Sequence, residues 1–181
     1  MGNPETNNFK LIIEFKIAEG GLNCIFSAFN INDNKQYSLK ACKPSRNSKN
    51  LQLLKEENVM MRKIGDSPHV ITSFGMHNVL YDAEDKNKII KMPEEFLILE
   101  SGYKSLFDFS NYTKVLDEYT SFVFFWQLLD GLTAIHEAGI AHLDIKENNV
   151  ILVKKEELKS DNRYANSGIA LKITDFGIAK I

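Results

Sequence analysis

The strongest constraint on the fold comes from residues 142–150, which read HLDIKENNV. They follow an apolar run with helical periodicity and precede two short apolar stretches, VILV and LKIT, that are typical of strands. Directly after the second stretch the chain reads DFG, beginning at Asp175. The pattern predicts a helix, a polar loop and two short strands in succession, with the charged residues of the loop available for chemistry.

The polar residues of this region suit the transfer of a phosphoryl group. Asp144 can accept a proton from an attacking hydroxyl, and Lys146 can neutralise charge on the transferred group. Asn149 and Asp175 offer hard oxygen ligands at two separated points, which suits Mg²⁺ held jointly by protein and substrate phosphates. Because phosphoryl transfer depends on placement and charge stabilisation, these residues predict Mg²⁺-dependent chemistry of this kind.

The rest of the chain divides into a strand-rich part and a helix-rich part. Residues 9–42 are rich in β-branched and aromatic residues and predict three strands, and residues 48–65 predict a helix. Two more strands are predicted around VITSFGM and EFLILES, and a long helix over residues 119–138. The predicted organisation is therefore a flexible N-terminus over residues 1–8, a five-stranded, one-helix lobe over 9–102, and a mainly helical lobe over 103–181.

Two charged residues are predicted to point inward in the first lobe. The helical pattern places Glu57 within the apolar stripe of its helix, where an unpaired carboxylate would be unfavourable. The period of two in YSLKAC places Lys40 on one strand face with Ser38. The sequence predicts that Lys40 and Glu57 pair and leave the ammonium directed at an anion.

A glycine-bearing turn, IAEGGLNCIF, joins the first two predicted strands. Backbone N–H groups in such a turn can approach phosphate oxygens closely because glycine has no Cβ. Gly-Gly turns are also common where no ligand binds, so this signal gains weight only beside the other residues.

Composition argues against nucleic acid as a partner and predicts the compartment in which the protein works. The formal net charge of −2, from 22 basic and 24 acidic residues, does not favour nucleic acid. Cys24 and Cys42 form no metal-binding or disulfide pattern, which predicts a reducing, cytoplasmic environment. The start, MGNPET, fits the N-myristoylation pattern, and a single lipid on Gly2 would give only weak, reversible membrane binding.

Taken together, these motifs resemble the protein kinase superfamily. The lysine of YSLK at 40, the helical Glu57, HLD with Asn149, and DFG resemble the family's V-A-I-K, αC glutamate, H-R-D-x-x-x-x-N and D-F-G. The resemblance implies an α+β fold with a five-stranded antiparallel N-lobe, one αC helix and an incomplete, mainly helical C-lobe. It implies ATP and Mg²⁺ as cofactors and a protein hydroxyl as substrate. Lys40, Glu57, Asp144 and Lys146 would be catalytic, and Asn149 and Asp175 would bind metal. The nucleotide would be bound by Ile17, Gly20, Gly21, Ile25, Ser38, Lys40, Leu99, Glu100, Gly102 and Ile151.

Shorter sequence features resemble particular classes within the protein kinase superfamily. Lys146, two residues after Asp144, is similar to the serine/threonine class, and AEGG with EEFLILE is similar to the Numb-associated kinases. Leu143 stands where the family has arginine, so control through an activation-loop phosphate is not expected. Ala18 and Asn23 replace two loop glycines, which predicts a looser cover over the phosphates.

The chain ends four residues after Gly177, before any activation loop or peptide-docking helices of the kind the family carries. An apolar face of the 119–138 helix would then be open, which predicts self-association or a partner. Two readings follow. The chain is a serine/threonine kinase domain that transfers phosphoryl groups, or it is a truncated kinase-like module that binds nucleotide or a partner without turnover.

Overall fold

A computed structural model describes residues 9–43, 49–78, 95–113, 116–154 and 168–181. Gly2 and the predicted flexible N-terminus lie outside the described residues. The chain divides into two compact units. The first comprises residues 1–54 and 74–101, and the second comprises residues 55–73 and 102–181.

The first unit is built on a five-stranded antiparallel sheet in the order β1-β2-β3-β5-β4. Its strands are β1 Leu11–Glu19, β2 Asn23–Asn30, β3 Lys35–Cys42, β4 Ser73–Asn78 and β5 Glu95–Glu100. The β-branched and aromatic residues that predicted these strands supply the core on one sheet face. That core consists of Ala28, Tyr37, Leu39, Ala41, Phe96 and Ile98.

Asparagine and aspartate shape the turn between β2 and β3. Asn34 has a left-handed φ of 59°, which asparagine tolerates better than most residues. The Tyr37 hydroxyl donates to Asp33 Oδ2 at 2.7 Å, and burial together with this bond raises the pKa of Tyr37. The side chain of Asn30 accepts the Lys10 N–H at 3.0 Å, so the turn also holds the start of β1.

Helix α1 runs over Lys49–Ile64, close to the predicted bounds, and contributes residues to both units. Glu57 is 2% exposed, as its place in the apolar stripe predicts. The predicted strand around VITSFGM was wrong at its start. Val70 and Ile71 precede β4. Val70 forms a parallel bridge with Ile173 in the second unit, and the Ile71 N–H donates to the Ile173 carbonyl at 2.9 Å.

The second unit joins helices to a small three-stranded sheet in the order β6-β7-β8. Its elements after α1 are β6 Lys104–Ser105, α2 Leu106–Thr113, α3 Glu118–Glu137, a 3-10 helix Glu147–Asn149, β7 Val150–Lys154 and β8 Ile169–Ile173. Its core contains Phe124, Val150, Leu152 and Leu171. The five-stranded sheet, α1 and this mainly helical unit confirm the predicted α+β, kinase-like fold class.

Both ends of α3 are capped by local sequence. Asp117 is the N-cap, and its side chain accepts the Thr120 N–H at 2.9 Å. At the other end Gly139 adopts a φ of 68°, and its N–H donates to the His136 carbonyl at 2.8 Å. The Ile140 N–H reaches the Ile135 carbonyl at 3.1 Å, which completes a Schellman motif at the predicted C-cap glycine.

Helix α3 is apolar on two faces. One face is buried and includes Val123, Phe124, Gln127, Gly131 and Ile135. The other is exposed and carries Phe122, Phe125, Trp126 and Leu129, with Phe125 61% and Trp126 52% exposed.

Among the described residues, no helix combines the length and apolarity that crossing a membrane requires.

Candidate active site

Asp144 is held by two neighbours of its own loop. Lys146 Nζ lies 2.6 Å from Asp144 Oδ2, and Asn149 Nδ2 donates to the same oxygen at 2.8 Å. Asn149 Nδ2 also donates to the Asp144 backbone carbonyl at 2.9 Å. The Lys146 hydrogen bond lowers the pKa of Asp144, so this carboxylate is ionised and has a defined orientation.

The loop containing Asp144 is bonded to the segment before Asp175. The Thr174 N–H donates to the Asn149 carbonyl at 2.9 Å, and His142 Nε2 lies 3.0 Å from the Thr174 carbonyl. Because a carbonyl only accepts, Nε2 is the protonated nitrogen of His142. Its Nδ1 then accepts the Asp144 N–H at 3.2 Å. The structure therefore brings together the two motifs predicted to work jointly.

His142 should make stability depend on pH. Burial lowers the pKa of His142 below its ordinary value, although the hydrogen bond to Thr174 opposes this. Since the unfolded chain then binds the proton more tightly, stability should be complete above about pH 6.5 and fall as the pH drops below it. The contribution has a slope of at most about 1.4 kcal/mol per pH unit.

Urea unfolding between pH 5 and 7.5 measures this contribution. The matched variant is His142→Gln, whose amide can donate to Thr174 and accept from Asp144 but does not titrate. We expect the variant to lose part of the acid destabilisation of the wild type. Equal pH dependence of the two proteins would contradict the lowered pKa of His142.

The DFG segment has a strained backbone and a buried acidic neighbour. Asp175 has a φ of 67°, and Leu143 has a φ of 65°. Left-handed residues other than glycine are uncommon and cluster at functional sites. The Phe176 N–H donates to Glu57 Oε1 at 3.2 Å, and the buried Phe176 ring packs edge-on against His142, with centroids 4.7 Å apart. Glu57 thus belongs to the same cluster as the DFG segment.

The residues at this site fit a magnesium ion by their donor chemistry. The Asn149 amide nitrogen faces two acceptors on Asp144, so its oxygen remains as the acceptor atom of the amide. A Cβ built at Gly177 would lie 3.4 Å from Asp175 Oδ1 and 3.9 Å from Glu57 Oε2. A Cβ at residue 177 would therefore be in ordinary van der Waals contact with both carboxylates. A carboxylate and an amide oxygen are ligands that Mg²⁺ prefers.

Most of the predicted nucleotide-binding residues lie in the first unit. Strand pairing sets Ile25 opposite Lys40, and Ser38 opposite Leu99. Pairs directly opposite share one sheet face, so these four side chains lie on the same face. Lys40 is 5% exposed. Glu100 pairs with Tyr37, and Ile17 occupies an irregularity of β1. The structure places Lys40 and Glu57 in different units, and their pairing stays a prediction.

Gly102 and Ile151, the remaining predicted nucleotide residues, contact each other in the second unit. A Cβ at Gly102 would lie 1.9 Å from Ile151 Cγ2, so only glycine fits there. The next residue, Tyr103, donates its N–H to the Leu152 carbonyl at 2.7 Å. Glycine at 102 is thus explained by packing against β7, whatever its role toward a ligand.

Sequence reasoning missed the residues that connect the motifs. His142 was predicted only as part of HLD, and no role was predicted for Thr174 or for the Asn149 backbone. These contacts use backbone carbonyls, which leave no residue-type signal. The one available signal was a histidine two residues before Asp144, where it can accept the Asp144 N–H.

Comparison with known proteins shows the family of the chain. A family profile described as "Protein kinase domain" matches residues 12–181. The chain is 27% identical over 168 residues to the MAP kinase kinase kinase win1 of Schizosaccharomyces pombe, covering 91% of the chain and 10% of that protein. It is 26% identical over 188 residues to the ovarian-specific serine/threonine-protein kinase Lok of Drosophila melanogaster, covering 99% and 35%. It is 26% identical over 166 residues to cyclin-dependent kinase 2 of Caenorhabditis elegans, covering 91% and 39%.

The chain thus spans between a tenth and about two-fifths of the length of these relatives. The narrower resemblance to the Numb-associated kinases stays a prediction. The family match extends over nearly the whole sequence, and the site geometry and curated relatives agree with it, so the chain belongs to the protein kinase superfamily.

Proposed function

We propose that this chain binds Mg·ATP and transfers the γ-phosphoryl group to a serine or threonine hydroxyl of a protein substrate. The observation that supports this best is the arrangement around Asp144. Its carboxylate is ionised and oriented by Lys146 and Asn149, and the Asn149 carbonyl holds the segment that leads to Asp175. An oriented acceptor close to candidate magnesium ligands is what phosphoryl transfer requires.

Each residue then has a role that its surroundings support. Asp144 accepts the hydrogen bond of the attacking hydroxyl, and its lowered pKa suits orienting that hydroxyl more than storing its proton. Lys146 neutralises charge on the transferred group, and Lys40 contacts the α- and β-phosphates. Asn149 and Asp175 hold Mg²⁺, which would supply charge neutralisation between the phosphates when bound. Glu57, through the Phe176 N–H, fixes the DFG backbone.

Adenine would be bound by apolar and hinge residues. On this proposal Ile17, Ile25, Ser38 and Ile151 contact the ring, Leu99 borders it, and Glu100 and Gly102 present backbone groups. Gly20 and Gly21 bring the backbone close to the phosphates. The shared sheet face of Ile25, Ser38, Lys40 and Leu99 supports this assignment within the first unit.

Nucleotide binding should appear as a Mg²⁺-dependent gain in thermal stability. ATP at 100 times its dissociation constant should add about 2.7 kcal/mol to the free energy of unfolding. Lys40→Ala and Asp175→Ala should lose most of this gain, because one removes the phosphate contact and the other a metal ligand. Differential scanning fluorimetry with ATP, with and without Mg²⁺, measures the shift.

The matched control is Lys35→Ala, which removes an exposed lysine from the same strand as Lys40. It should keep the full wild-type shift. A wild-type protein that melts cooperatively without any ATP-dependent shift would refute nucleotide binding. Equal loss in the Lys35 and Lys40 variants would remove the special role of Lys40.

A second candidate is a kinase-like module that binds nucleotide or a partner without phosphotransfer. The exposed apolar face of α3, formed by Phe122, Phe125, Trp126 and Leu129, favours it, because such a face suits a protein partner. Radiolabelled γ-phosphate transfer to a mixed serine/threonine peptide library distinguishes the two functions. Nucleotide binding without transfer would select the second.

A further inference from the structure

Three charged residues beside the glycine turn form an ion-pair cluster within the first unit. Glu19, at the end of β1, pairs through Oε2 with Lys16 and through Oε1 with Lys43 Nζ at 2.7 Å. The hydrogen bonds from Lys16 and Lys43 lower the pKa of Glu19 to about 2, so its carboxylate is charged at any physiological pH. We call Lys16, Glu19 and Lys43 the Glu19 cluster.

The Glu19 cluster depends on an irregularity in β1. In a regular strand, residues i and i+3 point to opposite faces of the sheet. Lys16 pairs with Phe26 and Ala18 pairs with Ile25, so Ile17 is an extra residue in β1. This bulge shifts the alternation by one, and Lys16 and Glu19 can then meet.

Strand pairing also shows which face the cluster occupies. Glu19 lies opposite Cys24, and Cys24 lies opposite Ala41. Ile25 and Lys40, the next residues along their strands, point to the other face. Glu19 is therefore on the face opposite the predicted nucleotide-binding side chains Ile25 and Lys40.

The glycine turn has few other restraints. The Gly20 N–H donates to the Asn23 carbonyl and the Lys43 N–H donates to the Leu22 carbonyl, both at 2.8 Å. A Cβ built at Gly21 would meet no atom within 4 Å, and one at Gly20 only the Asn23 carbonyl at 3.7 Å. Neither packing nor a left-handed φ fixes Gly20 and Gly21. Besides the two backbone hydrogen bonds, the ion pairs that meet at Glu19 restrain the β1 end of the turn and link it to Lys43, just past β3.

We propose that Glu19 is a positioning residue that, through Lys16 and Lys43, holds the glycine turn in the conformation that receives the ATP phosphates. This inference rests on the proposed function, since it assigns a determinant of triphosphate affinity at the same site. Lys43 contributes twice, because its backbone binds Leu22 and its ammonium binds Glu19. Adenosine, which has no phosphates, should be insensitive to the Glu19 cluster.

Isothermal titration calorimetry of the full chain with a non-hydrolysable ATP analogue plus Mg²⁺, and separately with adenosine, tests this. Glu19→Gln should weaken binding of the analogue by about two- to fivefold, the range of exposed ion pairs, and leave adenosine binding unchanged. Lys43→Met should act in the same way. The double variant should weaken binding no more than the stronger single one, because the two residues act through each other.

The sign of the Glu19→Gln effect is decisive. If Glu19 acted only through its charge, removing it would tighten binding of a triphosphate. Tighter or unchanged analogue binding would therefore overturn the inference. The control is Glu14→Gln, the same charge change on the same strand, at a residue that accepts from Ser27 and Gln36 away from the turn. An equal effect at Glu14 would also overturn it. A wild-type chain that binds neither ligand would instead refute the proposed function.

Discussion

Replacing Asp144 with asparagine should lower phosphoryl transfer by about 10²- to 10⁴-fold, the usual contribution of a positioned acid–base group. Binding of Mg·ATP should stay within about twofold, because the variant keeps the proposed metal ligands Asn149 and Asp175. An asparagine still fits between Lys146 and Asn149 but presents no carboxylate to an attacking hydroxyl. Transfer is measured with radiolabelled ATP and a serine/threonine peptide library, and binding by calorimetry.

Glu147→Gln is the matched control for this experiment, since Glu147 is an exposed acid in the same loop. It should transfer at the wild-type rate. If Asp144→Asn abolished nucleotide binding together with transfer, the division of roles between Asp144 and the metal ligands would be wrong. If the wild type bound nucleotide and transferred nothing, the module without turnover would be the better description.

Replacing Gly131 with alanine should destabilise the protein by about 1–3 kcal/mol, as overpacking of a tight interior does. A Cβ there would lie 2.6 Å from the His69 backbone carbonyl and 3.2 Å from Ile173 Cδ1. That carbonyl also accepts the Ile173 N–H at 2.9 Å, so moving it would disturb a second contact. Helix propensity alone predicts the opposite sign, because alanine is favoured over glycine by about 1 kcal/mol.

Urea unfolding of Gly131→Ala beside Thr133→Ala separates these effects. Thr133 is exposed on the same helix, so its replacement by alanine should leave stability nearly unchanged or slightly increase it. A Gly131 variant as stable as the wild type would show that α3 does not approach the His69 segment this closely.

Much of the fold could be predicted because its periodicity is local. The strands of the first unit and helices α1 and α3 follow from patterns that repeat every two or 3.6 residues, and Gly139 ends α3 where a C-cap glycine was expected. The predicted strand around VITSFGM began too early because Val70 and Ile71 are apolar for a different reason. They pack beside Ile173, which lies about a hundred residues later.

The candidate site could be predicted in its residue types but not in its connections. Asp144, Asn149 and Asp175 were identifiable because carboxylates and amides at that spacing suit a metal and a hydroxyl. The contacts of His142 with Thr174 and of Glu57 with Phe176 could not be predicted. Each joins a side chain to a backbone atom far along the chain. The Glu19 cluster depends on a bulge at Ile17 that no residue pattern predicted.

The sequence by itself determined which chemical groups this protein carries and where most of its strands and its helices α1 and α3 form, because both depend on residue type and short-range periodicity. Only the tertiary structure decided the protonated nitrogen of His142, the left-handed backbone of Asp175, the need for glycine at 102 and 131, and the face on which Glu19 lies. The protonated nitrogen of His142 and the need for glycine at 102 and 131 are each set by an atom of a distant segment. Local propensity does not encode such a contact, because the contact forms only when folding brings the two segments together.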